Sequence, residues 1–195
     1  MARPWLNVLA QVLPVPLGLL FSGALVWGAT NADWSGTTSN SGNTWTSSSL
    51  GLANDSTVPM FDVDNMRPGD TGANCIRIKS NAGTPTALKL YGNSPNWPSN
   101  FQSFINLHIE VGGGGSFGNC KGFTAHRTAF DGTLDTFMAL YTDFRTGLGP
   151  WTLPGTSPGS LSFRVAWEFS PSAPNGSQST ATNEAAFTWE AREPG

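Results

Sequence analysis

Apolar and polar residues alternate with a period of two along much of the second half of the chain. The longest such run extends from Phe163 to Phe169, where apolar residues occupy every second position and Arg, Ala and Glu fall between them. Because successive side chains of a strand point to opposite faces, this alternation predicts a half-buried β-strand. Shorter runs of the same kind lie at residues 76–79, 88–90, 107–111 and 187–191. Clusters of Gly, Pro, Asn and Asp separate the runs and favour turns. Short strands joined by turns predict an all-β sandwich.

One segment has a helical period instead. Leu134, Phe137, Met138 and Tyr141 follow the spacing i, i+3, i+4 and i+7, which places them on one face of a helix. The pattern predicts one short helix from about residue 133 to residue 144. Asp131 lies close enough to its start to act as the N-cap.

The first 32 residues have the features of a secretory signal peptide. No charged residue occurs from Leu6 to Ala29, and two prolines divide this stretch so that its last part, Leu17–Ala29, is thirteen residues long. That is the length of a signal-peptide h-region, and such a helix rises about 20 Å, less than the ~30 Å core of a bilayer. Small residues at Thr30 and Ala32 favour cleavage after Ala32. We therefore predict a cleaved signal peptide at residues 1–32.

The rest of the chain, residues 33–195, is predicted to form a single β-sandwich domain. Two alternatives remain for residues 1–32: an uncleaved hydrophobic anchor helix, through which the chain would meet a membrane, or a buried core helix. With a signal or an anchor, the domain is expected to be secreted, to the extracellular space or the cell surface.

The composition supports an exported domain and argues against a nucleic-acid partner. Charged residues make up 12% of the 195 residues, about half of the usual ~25%. The 10 Lys and Arg residues are outnumbered by 13 Asp and Glu residues, so the formal charge is -3. No basic excess is present to neutralise phosphates. The 23 glycines and 14 prolines argue against long helices.

The chain has two cysteines, Cys75 and Cys120, and both follow the predicted signal peptide. An even number of cysteines in an oxidising compartment predicts one disulfide between them. The alternative is a pair of buried free thiols.

Candidate metal ligands are few. His108 and Glu110 share one face of a predicted strand, and with His126 they are a candidate His-Glu-His site. Asp62 and Asp64 bring together oxygen ligands of the kind that calcium prefers. The competing interpretation is that all five are ordinary polar residues on a solvent-facing strand or in a turn. The sequence contains neither a His-Glu-x-x-His nor a Gly-x-Ser-x-Gly motif. We therefore predict no catalytic residue, no cofactor and no metal, with these five as weak metal candidates.

The eight tryptophans raise the possibility of stacking interactions. Trp97 and Trp151 each stand beside a proline in a predicted loop, and they are the candidates for exposed stacking in a glycan-binding module. Trp34 and Trp45 instead punctuate a segment rich in Ser, Thr, Asn and Gly, residues 31–49.

A shared order of motifs resembles the TasA and camelysin family of secreted proteins, in its actinobacterial form. In this sequence the motifs are Ala32-Asp33-Trp34-Ser35-Gly36, Gly42-Asn43-Thr44-Trp45, Ser49-Leu50-Gly51-Leu52, Met66-Arg67-Pro68-Gly69-Asp70-Thr71, the strand and turn from Ile76 to Thr84, Asp131-Gly132-Thr133-Leu134, and the closing segment from Phe163 to Ala191. Two positions depart from the family pattern, because Gly36 replaces an acidic residue and Gly51 replaces an Asp.

The resemblance implies a jelly-roll-like β-sandwich that is secreted to form homopolymeric fibres of a biofilm matrix. In such fibres the N-terminal segment of one subunit completes a sheet of the next. Here that donor strand would be residues 33–48, with Trp34 and Trp45 as its assembly anchors. The segment could equally be a flexible arm or the first strand of its own sandwich. Camelysin-type members are labelled metallopeptidases, so a cell-surface metallopeptidase is the rival function, and a monomeric surface adhesin is a third.

Overall fold

The strands predicted from the alternating pattern form two antiparallel sheets in the computed structural model. The structure describes residues 35–39, 51–63, 65–93, 100–155, 159–174 and 185–193. In chain order the strands are β1 (Ser35–Ser39), β2 (Leu52–Asn54), β3 (Thr71–Ser80), β4 (Thr86–Asn93), β5 (Ile105–Gly113), β6 (Thr124–Thr133), β7 (Leu148–Leu153), β8 (Gly159–Phe169) and β9 (Ala186–Arg192).

The nine described strands divide into a four-stranded and a five-stranded sheet. The four-stranded sheet has the order β1-β9-β4-β7, and the five-stranded sheet has the order β2-β3-β8-β5-β6. Every described pair is antiparallel. The chain crosses repeatedly between the sheets, since β3 and β4 belong to different sheets, as do β7 and β8. The prediction of an all-β sandwich is confirmed.

The core lies between the two sheets and is built from the inward residues of the alternating runs. Phe163 on β8 packs against Trp151 on β7 and Trp189 on β9, with ring centroids 5.0 and 5.6 Å apart. These contacts join the five-stranded sheet to the four-stranded one. Leu88 and Leu90 on β4 are fully buried beside them. The inward positions are therefore those that the period of two predicted.

A single described α-helix, α1 (Leu134–Leu140), follows β6 and is shorter than predicted. Its N-cap is Thr133, whose hydroxyl accepts a 3.2 Å hydrogen bond from the N–H of Thr136. The prediction of Asp131 as the cap was wrong, because Asp131 lies two residues before Thr133, where the chain is still paired with β5. Phe137 is fully buried and fixes the helix on the core.

The helix ends early because side chains in the following loop compete for backbone groups. Oδ1 of Asp143 accepts hydrogen bonds from the N–H and the hydroxyl of Thr146, at 2.8 and 3.0 Å. The Thr146 hydroxyl in turn accepts from the N–H of Thr142 at 3.0 Å. Such local bonds offer the chain an alternative to another helical turn.

No helix among the described residues is both long enough and apolar enough to cross a membrane. The predicted signal or anchor helix at residues 1–32 lies outside the described residues.

Candidate functional site

The predicted donor segment includes β1, and the structure pairs β1 with β9 of the same chain. The register runs from Ser35 opposite Arg192 to Ser39 opposite Thr188. β1 is the outermost strand of its sheet, and β9 has β4 on its other side. Thus the interpretation of this segment as the first strand of its own sandwich describes the structure of residues 35–39. The predicted anchors Trp34 and Trp45 lie outside the described residues.

β9 separates its side chains cleanly between the core and the outer face. Phe187, Trp189 and Ala191 are buried in the core. Glu190 points the other way and is only 5% exposed. Its two carboxylate oxygens accept hydrogen bonds from the Tyr91 hydroxyl at 2.9 Å and from Nε of Arg192 at 2.8 Å. β9, the strand that pairs with β1, is therefore held by the core on one face and by the hydrogen bonds of Glu190 on the other.

The other described sheet edges carry features that oppose strand addition. On β7, Pro150 has no N–H to donate. The β5–β6 pair has two register shifts, and the first five side chains of β6, which include His126 and Arg127, are exposed. Irregular pairing and exposed charges are common protections of edge strands.

The edge at β2 is closed by side chains as well. β2 covers three residues of β3, and Asp55 follows it directly. Oδ1 of Asp55 accepts the N–H of Arg77 on β3 at 2.8 Å. The N–H of Arg77 is thus already hydrogen-bonded to a carboxylate and is not available to pair with an added strand.

The disulfide between Cys75 and Cys120 is confirmed, with an S–S distance of 2.18 Å and a Cα–Cα distance of 5.2 Å. It holds the loop between β5 and β6 against β3. The other oxygen of Asp55 accepts the N–H of Phe117 in this loop at 3.0 Å, and the side chain of Asn74 accepts the next N–H at 2.8 Å. Covalent and polar contacts together fix the loop.

The predicted neighbours His108 and Glu110 do share the outer face of the five-stranded sheet. Nδ1 of His108 lies 3.2 Å from Oδ2 of Asp131, and Nε2 lies 4.0 Å from Oε1 of Glu110. Oε2 of Glu110 accepts a 2.9 Å hydrogen bond from Nη1 of Arg164. These side chains form a polar row across β6, β5 and β8, in which Glu110 and Arg164 are an ion pair between neighbouring strands.

The metal candidates do not gather into a site within the described part of the chain. No group of three or more His, Cys, Asp or Glu residues is placed there to hold a metal ion. His126 is exposed on β6, and Asp62 is exposed before β3. Asp64 lies outside the described residues.

The prediction of Trp151 as an exposed stacking residue was wrong. Its side chain is buried on β7, with 6% exposed, and its ring meets Phe163 edge to face. The residue was misassigned to a loop because Gly149 and Pro150 precede it. Trp97, the other stacking candidate, lies outside the described residues.

A cleft that no sequence pattern indicated lies on the outer face of the four-stranded sheet. Its volume is about 570 Å³, and it is lined by Lys89, Asp143, Phe144, Arg145 and Arg192. The ring of Phe144 lies 4.2 Å from Cζ of Arg192 and 5.2 Å from Nζ of Lys89. Aromatic faces attract cations at such distances.

The titrating groups around this cleft are held in definite states. Burial, and then the hydrogen bond and the charge of Glu190, raise the pKa of Tyr91 well above its usual range. Hydrogen bonds from the N–H and the hydroxyl of Thr146 hold the pKa of Asp143 below its usual range. At neutral pH the phenol is therefore a hydrogen-bond donor and the carboxyl is ionised.

A scan of protein-family models finds no match to this chain, and a search of curated proteins finds no significant match either.

Proposed function

We propose that this chain is a secreted structural subunit of extracellular fibres, similar to those of the TasA and camelysin family. In the fibre, β1 of one copy lies beside β9 of the next copy. The observation that carries this proposal is the position of β1, a five-residue edge strand close to the predicted N-terminus of the mature protein.

The composition of β1 supports exchange between copies. Its sequence is Ser-Gly-Thr-Thr-Ser, so it contributes no large apolar residue. Its attachment to β9 therefore depends on the backbone ladder. A neighbouring copy can supply the same ladder in the same register, and exchange of an identical element is a low-cost route to assembly. The free-energy cost of exchange is then mainly the translational and rotational freedom that two copies lose when they associate.

The chain after β1 is long enough for exchange. Twelve residues separate Ser39 from Leu52, and an extended chain of that length spans about 40 Å. This is comparable with the dimensions of a small sandwich domain. The connection thus does not force β1 to remain on its own β9.

The protected edges give the assembly a direction. Added strands are opposed at β7 by a proline, at β6 by charges and irregular pairing, and at the β2 side by Asp55. Among the described edges, the edge of β9 that β1 covers is the one where a strand can add with regular antiparallel hydrogen bonds. With one donor and one acceptor per subunit, a head-to-tail chain forms when each copy donates β1 to the next copy and accepts the β1 of the copy before it.

Two further properties support an extracellular material. The disulfide between Cys75 and Cys120 is typical of an oxidising compartment. A net charge of -3 on 195 residues limits repulsion between stacked copies.

Cysteine pairing tests the exchange directly. Ser39 lies opposite Thr188 in the register, and directly opposed strand residues meet the distance that a disulfide requires. Two full-length variants, S39C and T188C with a larger tag on the second, are mixed, assembled and mildly oxidised. If β1 is exchanged, the mixture yields a disulfide-linked species of the summed mass.

A matched control places the second cysteine on the other sheet. Ser160 is an exposed residue of β8, so a mixture of S39C and S160C should give no such species. The double variant S39C/T188C distinguishes the two arrangements within one chain. Closure within single chains under conditions where fibres form, together with no linked species in the mixture, would contradict the proposal.

A further inference from the structure

Three of the ten Lys and Arg residues of the chain meet in the cleft on the outer face of the four-stranded sheet. Lys89 comes from β4, Arg192 from β9, and Arg145 from the loop between α1 and β7. For a chain with an overall negative charge, this is a marked concentration of positive charge. The lining contains one carboxylate, that of Asp143, and Glu190 lies beside Arg192, so the two acidic residues do not balance the three cations.

The cationic groups keep most of their donors available. Nζ of Lys89 donates to the backbone oxygen of Arg145 at 3.3 Å. Arg192 uses Nε for Glu190, and its remaining guanidinium donors have no partner among the described residues. The guanidinium of Arg145 likewise makes no hydrogen bond or ion pair within the described part of the chain. The cleft can therefore offer charge-assisted hydrogen bonds to an anion.

The carboxylates near the cleft are already engaged. Both oxygens of Glu190 accept hydrogen bonds, from Tyr91 and from Arg192. Oδ1 of Asp143 accepts two hydrogen bonds from Thr146. Among the described residues no ion pair joins either carboxylate to Lys89 or Arg145, although the charge of Arg145, after the hydrogen bonds from Thr146, contributes to the lowered pKa of Asp143.

The loop that carries Phe144 is held rigidly against β4. A Cβ added to Gly147 would meet the backbone oxygen of Asp143 at 2.9 Å and that of Leu90 at 3.3 Å, so the loop approaches the strand closely. Four backbone N–H groups of the loop, those of Thr142, Asp143, Thr146 and Gly147, bond within it. These four N–H groups are therefore not available to a ligand, and the charged side chains are the main donors of the cleft.

We infer that this cleft binds an acidic polysaccharide, with sugar carboxylates on Lys89, Arg145 and Arg192 and a sugar ring against Phe144. Arginine pairs with carboxylates in two-point geometry, and a half-exposed aromatic ring offers an apolar surface to the C–H groups of a sugar. An acidic peptide would instead gain from backbone pairing, which the loop does not offer. The open shape of the cleft, on the flat face of a sheet, suits an extended chain.

Calorimetric titration of the full-length protein with an oligogalacturonate tests the inference. The K89A/R145A variant should weaken binding by about tenfold, because it removes two charged contacts. The same oligosaccharide with methyl-esterified carboxylates should bind at least about tenfold more weakly to the unaltered protein.

Two further measurements distinguish binding at this cleft from nonspecific electrostatic attraction to the protein. K79A/K121A removes two exposed lysines outside the cleft, so it matches the charge change and should leave binding unaltered. F144L keeps the cations and should weaken oligogalacturonate binding while poly-glutamate binding is unchanged. Equal losses in the two double variants, equal binding of the esterified sugar, no effect of F144L, or no binding at all would overturn the inference. Because binding is measured without assembly, its outcome is independent of fibre formation.

Discussion

The hydroxyl of Tyr91 donates a 2.9 Å hydrogen bond to Oε2 of Glu190 and so links β4 to β9 on the outer face of the sheet. The acceptor is a carboxylate that is 5% exposed. Burial of such a group is tolerated when both of its oxygens have donors, and Arg192 supplies the second. The β4–β9 pair, which carries β1, therefore depends on a polar contact as well as on the core.

Replacing this tyrosine tests the contact. Y91F should lower the free energy of unfolding by about 1–3 kcal/mol, because a buried carboxylate oxygen loses its donor. Urea denaturation at pH 7 measures the change. The other tyrosine, Tyr141, packs by its ring against Phe130 and Phe137, so Y141F is the matched control and should change little. An equal loss in both variants would contradict the role given to the hydrogen bond.

The same contact predicts a pH dependence. The pKa of Tyr91 is raised in the folded state, first by burial and then by Glu190. Above pH ~10, where a tyrosine of the unfolded chain loses its proton, the folded chain binds more protons than the unfolded chain, so stability falls as the pH rises. Below that pH the contribution is complete. Denaturation from pH 8 to 11 should show a steeper loss for the unaltered protein than for Y91F, and parallel curves would contradict this.

Removing the disulfide should destabilise the domain without disturbing the rest of the fold. The bond between Cys75 and Cys120 spans 45 residues, and the chain-entropy model assigns about 3–4 kcal/mol to a loop of that size. C75A/C120A should lose this amount in urea denaturation at pH 7. D55N, with the disulfide intact, is the comparison, since Asp55 also holds the loop. This variant should lose less free energy of unfolding than C75A/C120A. A double variant as stable as the original would contradict the prediction.

Much of the fold could be predicted from the sequence because the core residues alternate locally. Apolar residues occupy every second position from Phe163 to Phe169 on β8 and from Phe187 to Ala191 on β9, with polar residues or Ala166 between them, so the period of two identified both strands without any knowledge of their partners. The helix was harder, because its length is decided by Asp143 and Thr146, whose side-chain bonds compete with the last turn. The sequence feature that could have indicated the early end of the helix is the spacing of Asp143 and Thr146, three residues apart.

The cleft could not be predicted because long-range pairing assembles it. Lys89 and Glu190 are direct neighbours in the β4–β9 register although about a hundred residues separate them in the sequence. Phe144 joins them from a loop. The alternation did place Lys89 on an outer face, but without strand order it gave no reason to place this residue beside Arg192.

The burial of Trp151 corrects the sequence-based prediction and leads to its own test. W151A should lower the free energy of unfolding by about 3–5 kcal/mol, because it opens a large cavity beside Phe163. L140A is the control, since Leu140 is 56% exposed, and its effect should stay within about 0.5 kcal/mol apart from helix propensity. Thermal denaturation followed by near-ultraviolet circular dichroism measures both. A stable W151A protein would restore the prediction of an exposed stacking residue.

Deleting residues 1–44 removes β1 and leaves the core strands intact. Because β1 contributes no large apolar residue, the shortened protein should fold, keep its disulfide and give a cooperative unfolding transition. It should also be monomeric at every concentration in analytical ultracentrifugation, since it has an acceptor at β9 but no donor. Deletion of residues 1–32 alone is the matched control and should assemble into fibres visible by negative-stain electron microscopy. Fibres from the shorter protein would show that β1 is not the donor, and an unfolded product would show that β1 is needed within its own sandwich.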